Sequence, residues 1–161
     1  MTDSCAGCGL AIEGGTEGCQ ALFEEMTLQA LSDVRYARVH RLAVDVYAMQ
    51  HPDRYGRSAK SFAAHLTGLC CGVEFEGSET TNAAVQRWLS GGSPVERPAV
   101  PAQRGAMTIA DVLAVGDPAE HARAVERWAR MTWDAYAALH RLARAWIATA
   151  LREAPERPAR R

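Results

Sequence analysis

Apolar residues recur at helical intervals along most of the chain and predict an all-α protein. The first run covers about residues 19–31, and the second covers about residues 34–50. The second run is expected to stop before Pro52, because a proline disfavours helical geometry in the residue that precedes it. A third helix is predicted from Ser58, acting as N-cap, to about residue 73. Each of these helices has an apolar side that needs a packing partner.

A long connector divides two short predicted helices in the second half of the chain. Thr80 or Thr81 is expected to cap the first of them. Thr108 is expected to cap the other, which ends before Gly116. Between them, residues 90–107 carry three glycines and three prolines, so this stretch predicts an extended connector.

The last predicted helix is the longest. Asp117 followed by Pro118 is a strong start signal, and the helix is expected to run to about residue 151. Its apolar seam advances in steps of four and three, a spacing typical of antiparallel packing in a bundle. The seam consists of Val125, Ala129, Thr132, Tyr136, Leu139, Ala143, Trp146 and Ala150.

Together these runs predict a single-domain helical bundle of about five helices over residues 1–153. Residues 1–18 are rich in glycine and polar residues and predict an irregular N-terminal loop. Residues 154–161 predict a disordered tail, because they are rich in proline and arginine. No run predicts a β-strand, and no internal repeat is present.

Composition narrows the functional classes. The net charge is −1 and no basic surface interleaved with aromatic residues is apparent, so nucleic acid is not an expected partner. No stretch reaches the roughly 18 apolar residues of a membrane span, and the N-terminus lacks the features of a signal peptide. A cytoplasmic location is therefore expected, with a protein or a small molecule left open as the partner.

The five cysteines need an explanation, because an odd number in a reducing compartment argues against disulfides. Cys5 and Cys8 are two residues apart, so both thiolates can reach one tetrahedral ion. Cys19 is the nearest third ligand, at a helix start that favours the thiolate. The alternative is that these thiols bind nothing. The adjacent Cys70 and Cys71 are predicted to be buried filler, with a soft-metal sensor as the alternative.

Three histidines can complete such a site. His40 and His51 share a helix face, but eleven residues separate them by roughly 16 Å, so one ion cannot bind both. His51 lies at a helix end and can turn towards the N-terminal loop, whereas His65 is predicted to face inwards. Asp45 falls on the solvent-facing stripe with Arg41, where a surface ion pair contributes little.

Several motifs resemble an uncharacterised bacterial family, the domain-of-unknown-function family DUF5946. They are Cys5-x-x-Cys8-Gly9, Gly18-Cys19, the run from His40 to Pro52, Ser58-x-x-Ser61-x-x-x-His65-Leu66, Thr108-x-x-Asp111-Val112, and Trp128, Trp133, His140 and Trp146. The resemblance implies no activity. It does imply that one recurring set contains Cys5, Cys8, Cys19, His40, Asp45, His51 and His65, which gives Asp45 more weight than its helical position does.

Three functions follow as hypotheses. The first is a structural or regulatory metal site, with Zn²⁺ as the expected ion, whose ligands come from Cys5, Cys8, Cys19, His51 and His65. The second is a metal-dependent enzyme of the hydrolase or transferase type, with His40, Asp45 and His65 as catalytic candidates. The third is a thiol-based redox or soft-metal sensor. No nucleophile elbow, phosphate loop or dinucleotide fingerprint is present.

Overall fold

The computed structural model describes residues 2–155, so most of the tail predicted to be disordered lies outside the described residues. Helices dominate this part of the chain, and the all-α prediction is confirmed. The bounds are α1 Thr16–Ser32, α2 Val34–Ala37, α3 His40–Gln50, α4 Pro52–Tyr55, α5 Ala59–Glu74, α6 Glu79–Ser90, α7 Ile109–Leu113, α8 Pro118–Ala135 and α9 His140–Arg152. The nine helices within residues 2–155 exceed the predicted number of about five, because two long runs are each broken into two helices and the four-residue helix α4 was not predicted.

The N-terminal segment is a β-hairpin, so the prediction of an irregular loop without strands was wrong there. Strand β1 (Thr2–Ser4) pairs antiparallel with β2 (Ala11–Glu13). Strands of three residues are too short to display an alternating pattern in the sequence. The turn between them is closed by the Cys5 N–H donating to the Leu10 carbonyl (2.8 Å) and the Gly9 N–H donating to the Cys5 carbonyl (2.9 Å).

The predicted helix over residues 34–50 is interrupted between α2 and α3. Asp33 caps α2 by accepting from the Arg35 N–H at 2.9 Å. Val39, with φ −111° and ψ 2°, leaves helical geometry before α3 begins at His40. The apolar period continues across this interruption, so hydrophobicity alone predicts one helix.

The long last helix is likewise divided. Tyr136 departs from helical geometry (φ −92°, ψ 20°), and a 3-10 helix at Ala137–Leu139 joins α8 to α9. The Tyr136 hydroxyl donates to the Met49 carbonyl at 2.6 Å, which fastens this bend to α3. The His140 ring also bonds the Trp133 carbonyl (2.8 Å), which accepts the Tyr136 N–H at 2.9 Å as well.

Most of the predicted helix caps are confirmed. Ser58 accepts from the Ser61 N–H, Asp117 caps α8, and Thr108 with Asp111 forms a capping box on α7. The cap of α6 is an exception, because Ser78 and neither Thr80 nor Thr81 performs that role, with Ser78 accepting from the Thr81 N–H at 3.3 Å.

The core surrounds α3 and α5, against which α8 and α9 pack. Gln50 is fully buried at the end of α3 and connects three parts of the chain. Its Nε2 donates to the carbonyls of Arg104 (3.1 Å) and Met107 (2.8 Å), and its Oε1 accepts from Trp128 Nε1 (3.0 Å). These bonds hold the connector against α3 and α8, directly before His51. None of the helices in residues 2–155 has the length and apolar character that crossing a membrane requires.

Candidate metal centre

Three thiols and one imidazole converge where the hairpin meets α1 and the end of α3. Cys5 and Cys8 lie in the hairpin turn, Cys19 in the first turn of α1, and His51 between α3 and α4. Their ligand atoms all lie within 4.8 Å of one another. His51 Nε2 is 3.3 Å from Cys5 Sγ and 3.5 Å from Cys19 Sγ, and the Sγ atoms of Cys8 and Cys19 are 3.7 Å apart.

These separations match a tetrahedral ion. A tetrahedron with metal–sulfur bonds of about 2.3 Å places its ligand atoms about 3.7 Å apart, and a slightly shorter metal–nitrogen bond brings that value to about 3.5 Å. The spacing of Cys5, Cys8, Cys19 and His51 is therefore close to what one tetrahedral metal ion requires.

The hairpin turn favours thiolates. Burial raises the pKa of the Cys5 thiol, but hydrogen bonds from the backbone N–H groups of Cys8 and Gly7 outweigh this, so the pKa lies below its ordinary value. The hydrogen bond from Cys19 lowers the pKa of Cys8 to about 4. The same bond, together with burial, raises the pKa of Cys19, so the two thiols lose their protons in separate steps.

Both ring nitrogens of His51 are engaged. Nδ1 lies 2.7 Å from the Tyr47 carbonyl and must donate to it, because a carbonyl oxygen only accepts. Nε2 then faces the sulfurs. Burial lowers the pKa of His51, but the hydrogen bond and charge of Cys8 outweigh it and leave the pKa raised. A backbone carbonyl is one of the common partners of the far nitrogen in a metal-binding histidine.

Two glycines permit the close approach of these elements. A Cβ on Gly7 would lie 2.2 Å from His51 Cδ2, so a side chain there would displace the imidazole or the turn. A Cβ on Gly18 would lie 2.1 Å from the Glu13 carbonyl oxygen, where α1 begins beneath β2. Glycine is required at both positions, because any side chain there would collide with neighbouring atoms.

Arg104 and Tyr47 contact the cluster from outside, and the sequence predicted a role at this site for neither residue. Arg104 Nη1 donates to the carbonyls of Gly7 (2.9 Å) and Gln50 (3.4 Å), so a cation from the connector joins the hairpin turn to α3. Tyr47 stacks on the His51 ring at 4.0 Å between centroids, and its hydroxyl lies 3.6 Å from Cys19 Sγ. Arg104 is 97 residues from Gly7 along the chain, so no local motif could have identified it.

His65, the other predicted ligand, lies apart from this cluster and pairs with Asp45. The distance from His65 Nδ1 to Asp45 Oδ1 is 2.9 Å. The assignment of Asp45 to the solvent-facing stripe was wrong, because α5 covers that face of α3 and leaves Asp45 only 9% exposed. Burial raises the pKa of Asp45, and the hydrogen bond from His65 partly opposes that effect.

His40, the remaining catalytic candidate, belongs to neither group. Its Nδ1 is buried without a hydrogen-bond partner among residues 2–155, and the same holds for His121 Nδ1. Burial lowers the pKa of His40. Burial and the nearby His40 also lower the pKa of His121, so both imidazoles are held in their neutral form.

Cys70 and Cys71 are buried in α5, which confirms the prediction of buried positions. Burial raises the pKa of Cys70 to about 12 and raises that of Cys71 as well. Both side chains are therefore protonated thiols at neutral pH, a state with little nucleophilic or metal-binding reactivity.

Comparison with known protein families matches residues 3–137 to a family of unknown function (DUF5946). The chain belongs to this family. The matched region contains all of the hairpin except Thr2, helices α1 to α8 and all four residues of the cluster, so the resemblance inferred from the motifs is confirmed. Comparisons with curated proteins and with solved structures found no match.

Proposed function

We propose that this chain is a structural zinc protein in which Cys5, Cys8, Cys19 and His51 bind one Zn²⁺. The observation that carries the proposal is the convergence of the four ligand atoms within 4.8 Å, with His51 Nδ1 bonded to the Tyr47 carbonyl. Three sulfurs and one imidazole nitrogen form a donor set that zinc prefers in closed tetrahedral sites. His65 and Asp45 are not part of this proposed site.

The groups around the cluster can compensate the net charge of a bound zinc–thiolate site. Three thiolates and one Zn²⁺ sum to a single negative charge, which buried surroundings must compensate. Backbone N–H groups of the hairpin turn bond the sulfurs of Cys5 and Cys8, and the Tyr47 hydroxyl lies against Cys19. The guanidinium of Arg104 donates a hydrogen bond to the Gly7 carbonyl and places a positive charge near the hairpin turn.

A structural role is favoured over a catalytic one because protein ligands fill all four positions. Cys5, Cys19 and His51 are 2%, 0% and 5% exposed, so a substrate has little access to the ion from their side. Catalytic zinc sites instead keep one position for water or substrate. In this proposal the ion joins the hairpin, α1 and the α3–α4 junction, which are distant in sequence.

The proposal is tested by measuring the metal content of the full chain purified without chelator. We expect about one zinc per chain, and a Cys5→Ser/Cys8→Ser variant should lose nearly all of it. The matched control is Cys70→Ala/Cys71→Ala, which also removes two thiols and should keep its zinc. A native chain without transition metal after growth in zinc-supplemented medium would contradict the proposal.

A second measurement separates a closed site from an open one. Replacing zinc by Co²⁺ makes the coordination visible, because the absorption of cobalt reports its ligand number and its bonds to sulfur. We expect a tetrahedral spectrum that does not change when azide or free imidazole is added. A change on addition of either would reveal an exchangeable position and support the metal-dependent enzyme instead.

A further inference from the structure

A cleft of about 650 Å³ lies between α3, α5 and α8, with the α5–α6 turn at one end. Its volume lies within the range of small-molecule sites. Asp45 and the backbones of Gly68 and Gly72 line part of it, whereas no residue of the proposed zinc site does. The cleft is therefore separate from the sulfur cluster, and nothing in the proposed zinc-binding function uses it.

The position of the cleft follows from how closely α3 lies on α5. A Cβ on Gly68 would come within 2.2 Å of Asp45 Oδ2, and one on Gly72 within 2.4 Å of Leu42 Cδ1. Glycine inside a helix is less stable than alanine, and α5 contains two glycines at this contact. The close approach buries the Asp45 carboxylate beside the cleft, where His65 bonds its other oxygen.

Side chains of both charges line the cleft. Arg38 lies between α2 and α3, Arg41 lies in the first turn of α3, and Arg130 comes from α8, where Glu126 lies one turn before it. Glu76 and Glu79 come from the α5–α6 turn. Within residues 2–155, none of these six takes part in a salt bridge. The arginines and the two glutamates of the turn thus face the same space without neutralising each other.

We propose that this cleft binds a small zwitterion of the amino-acid class. A carboxylate is the group that a set of guanidinium donors recognises, through charge-assisted and often paired hydrogen bonds. An ammonium group is the complementary partner of Glu76 and Glu79. A ligand carrying both groups satisfies both sets of side chains, whereas a simple anion or a simple amine satisfies only one.

The test is calorimetric titration of the full chain with glycine, L-glutamate and L-arginine. Acetate and phosphate serve as anion-only probes, and ethylamine as the amine-only probe. We expect at least one amino acid to bind with a Kd at least about tenfold below those of all three single-charge probes. Titrations are compared at equal ionic strength, because exposed charges are screened by salt.

Two double variants remove the two halves of the site separately. Arg38→Gln/Arg41→Gln and Glu76→Gln/Glu79→Gln should each raise the Kd at least about tenfold, because each removes the partners of one ligand charge. The control Arg57→Gln/Arg141→Gln changes the net charge by the same amount as the arginine variant, at exposed positions outside the cleft, and should leave the Kd within about twofold. Circular dichroism and zinc content establish that each variant is folded.

Three results would overturn the proposal. The first is that no amino acid in the panel binds with a Kd below about 10 mM, an affinity too weak for a specific site. The second is that acetate, phosphate or ethylamine binds as tightly as the best amino acid, which would make this a simple ion site. The third is that either cleft variant binds like the native chain.

Discussion

His51 contributes to the candidate metal centre through both of its ring nitrogens. Nδ1 is held by the Tyr47 carbonyl, four residues earlier on α3, so the ring orientation is set by the helix that precedes it. Nε2 reaches the sulfurs only because Gly7 presents no side chain to the ring. One residue in the turn therefore controls whether the imidazole and the thiols can share an ion.

Replacing Gly7 with alanine tests this contact. The added Cβ would lie 2.2 Å from His51 Cδ2 and 3.0 Å from the Gln50 carbonyl, so the ring or the turn must shift. We expect zinc affinity to fall at least about tenfold, measured by competition with a fluorescent chelator. The control is Gly116→Ala, whose Cβ meets nothing within 4 Å. Equal affinities in the two variants would show that the contact does not limit binding.

His121 makes folding sensitive to acid. Burial lowers its pKa below the ordinary value of 6.5, with a further contribution from His40. The unfolded chain takes up this proton near pH 6.5 while the folded chain does not, so the free energy of unfolding decreases as the pH falls through 6.5 towards the folded pKa.

The variant His121→Phe cannot be protonated and keeps a ring against Tyr36, whose centroid lies 5.0 Å from that of His121. Between about pH 7.5 and about pH 5 we expect it to lose less stability than the native chain, as measured by urea denaturation. The cluster is identical in both proteins, so the effect of acid on it cancels in the comparison. Equal losses would rule out His121 as a source of acid sensitivity.

The β-hairpin is the element that depends most on the proposed metal. Its strands have three residues each, and a two-stranded hairpin of that size is at best marginally stable alone. Its turn carries Cys5 and Cys8, whereas Cys19 and His51 belong to α1 and the end of α3. An ion shared by these four residues would anchor the hairpin to the helices.

Removing zinc with a chelator should therefore release the hairpin before the helices. The Cys5 and Gly9 amides, bonded to the carbonyls of Leu10 and Cys5, should exchange with deuterium much faster after chelation. Amides in the core helix α5 should keep most of their protection. The measurement is hydrogen–deuterium exchange with and without chelator. If deuterium exchange became uniformly faster over the whole chain, or no faster in the hairpin, the predicted order of release would be wrong.

Breaks divide both of the long helical runs that the sequence predicts. The apolar seam of the last predicted helix continues from Val125 to Ala150, yet the structure bends at Tyr136. The hydroxyl of Tyr136 reaches the Met49 carbonyl, and His140 bonds the Trp133 carbonyl. The bond from Tyr136 to Met49 exists only after α8 has packed on α3, so the sequence near the bend cannot predict it.

At the scale of the whole molecule, the connector links the proposed metal site to the core. In the structure it occupies residues 91–108, between α6 and α7. Gln50 fixes the connector through the carbonyls of Arg104 and Met107, and Arg104 in turn bonds the Gly7 carbonyl. Trp128 on α8 completes the set by donating to Gln50. The hairpin, the connector, α3 and α8 are thus joined by buried and partly buried hydrogen bonds around the residue that precedes His51.

The sequence by itself determined the helical class, most caps and the family, because these depend on local spacing and short motifs. It also placed Cys5, Cys8, Cys19 and His51 among the metal-ligand candidates, since ligand chemistry is visible in residue type. Only the tertiary structure decided which histidine joins the thiols and which pairs with Asp45. That choice depends on helix directions and on contacts at Gly7 and Gly68, between residues tens of positions apart. Neither the hydrophobic period nor the composition of a sequence predicts contacts between such distant residues.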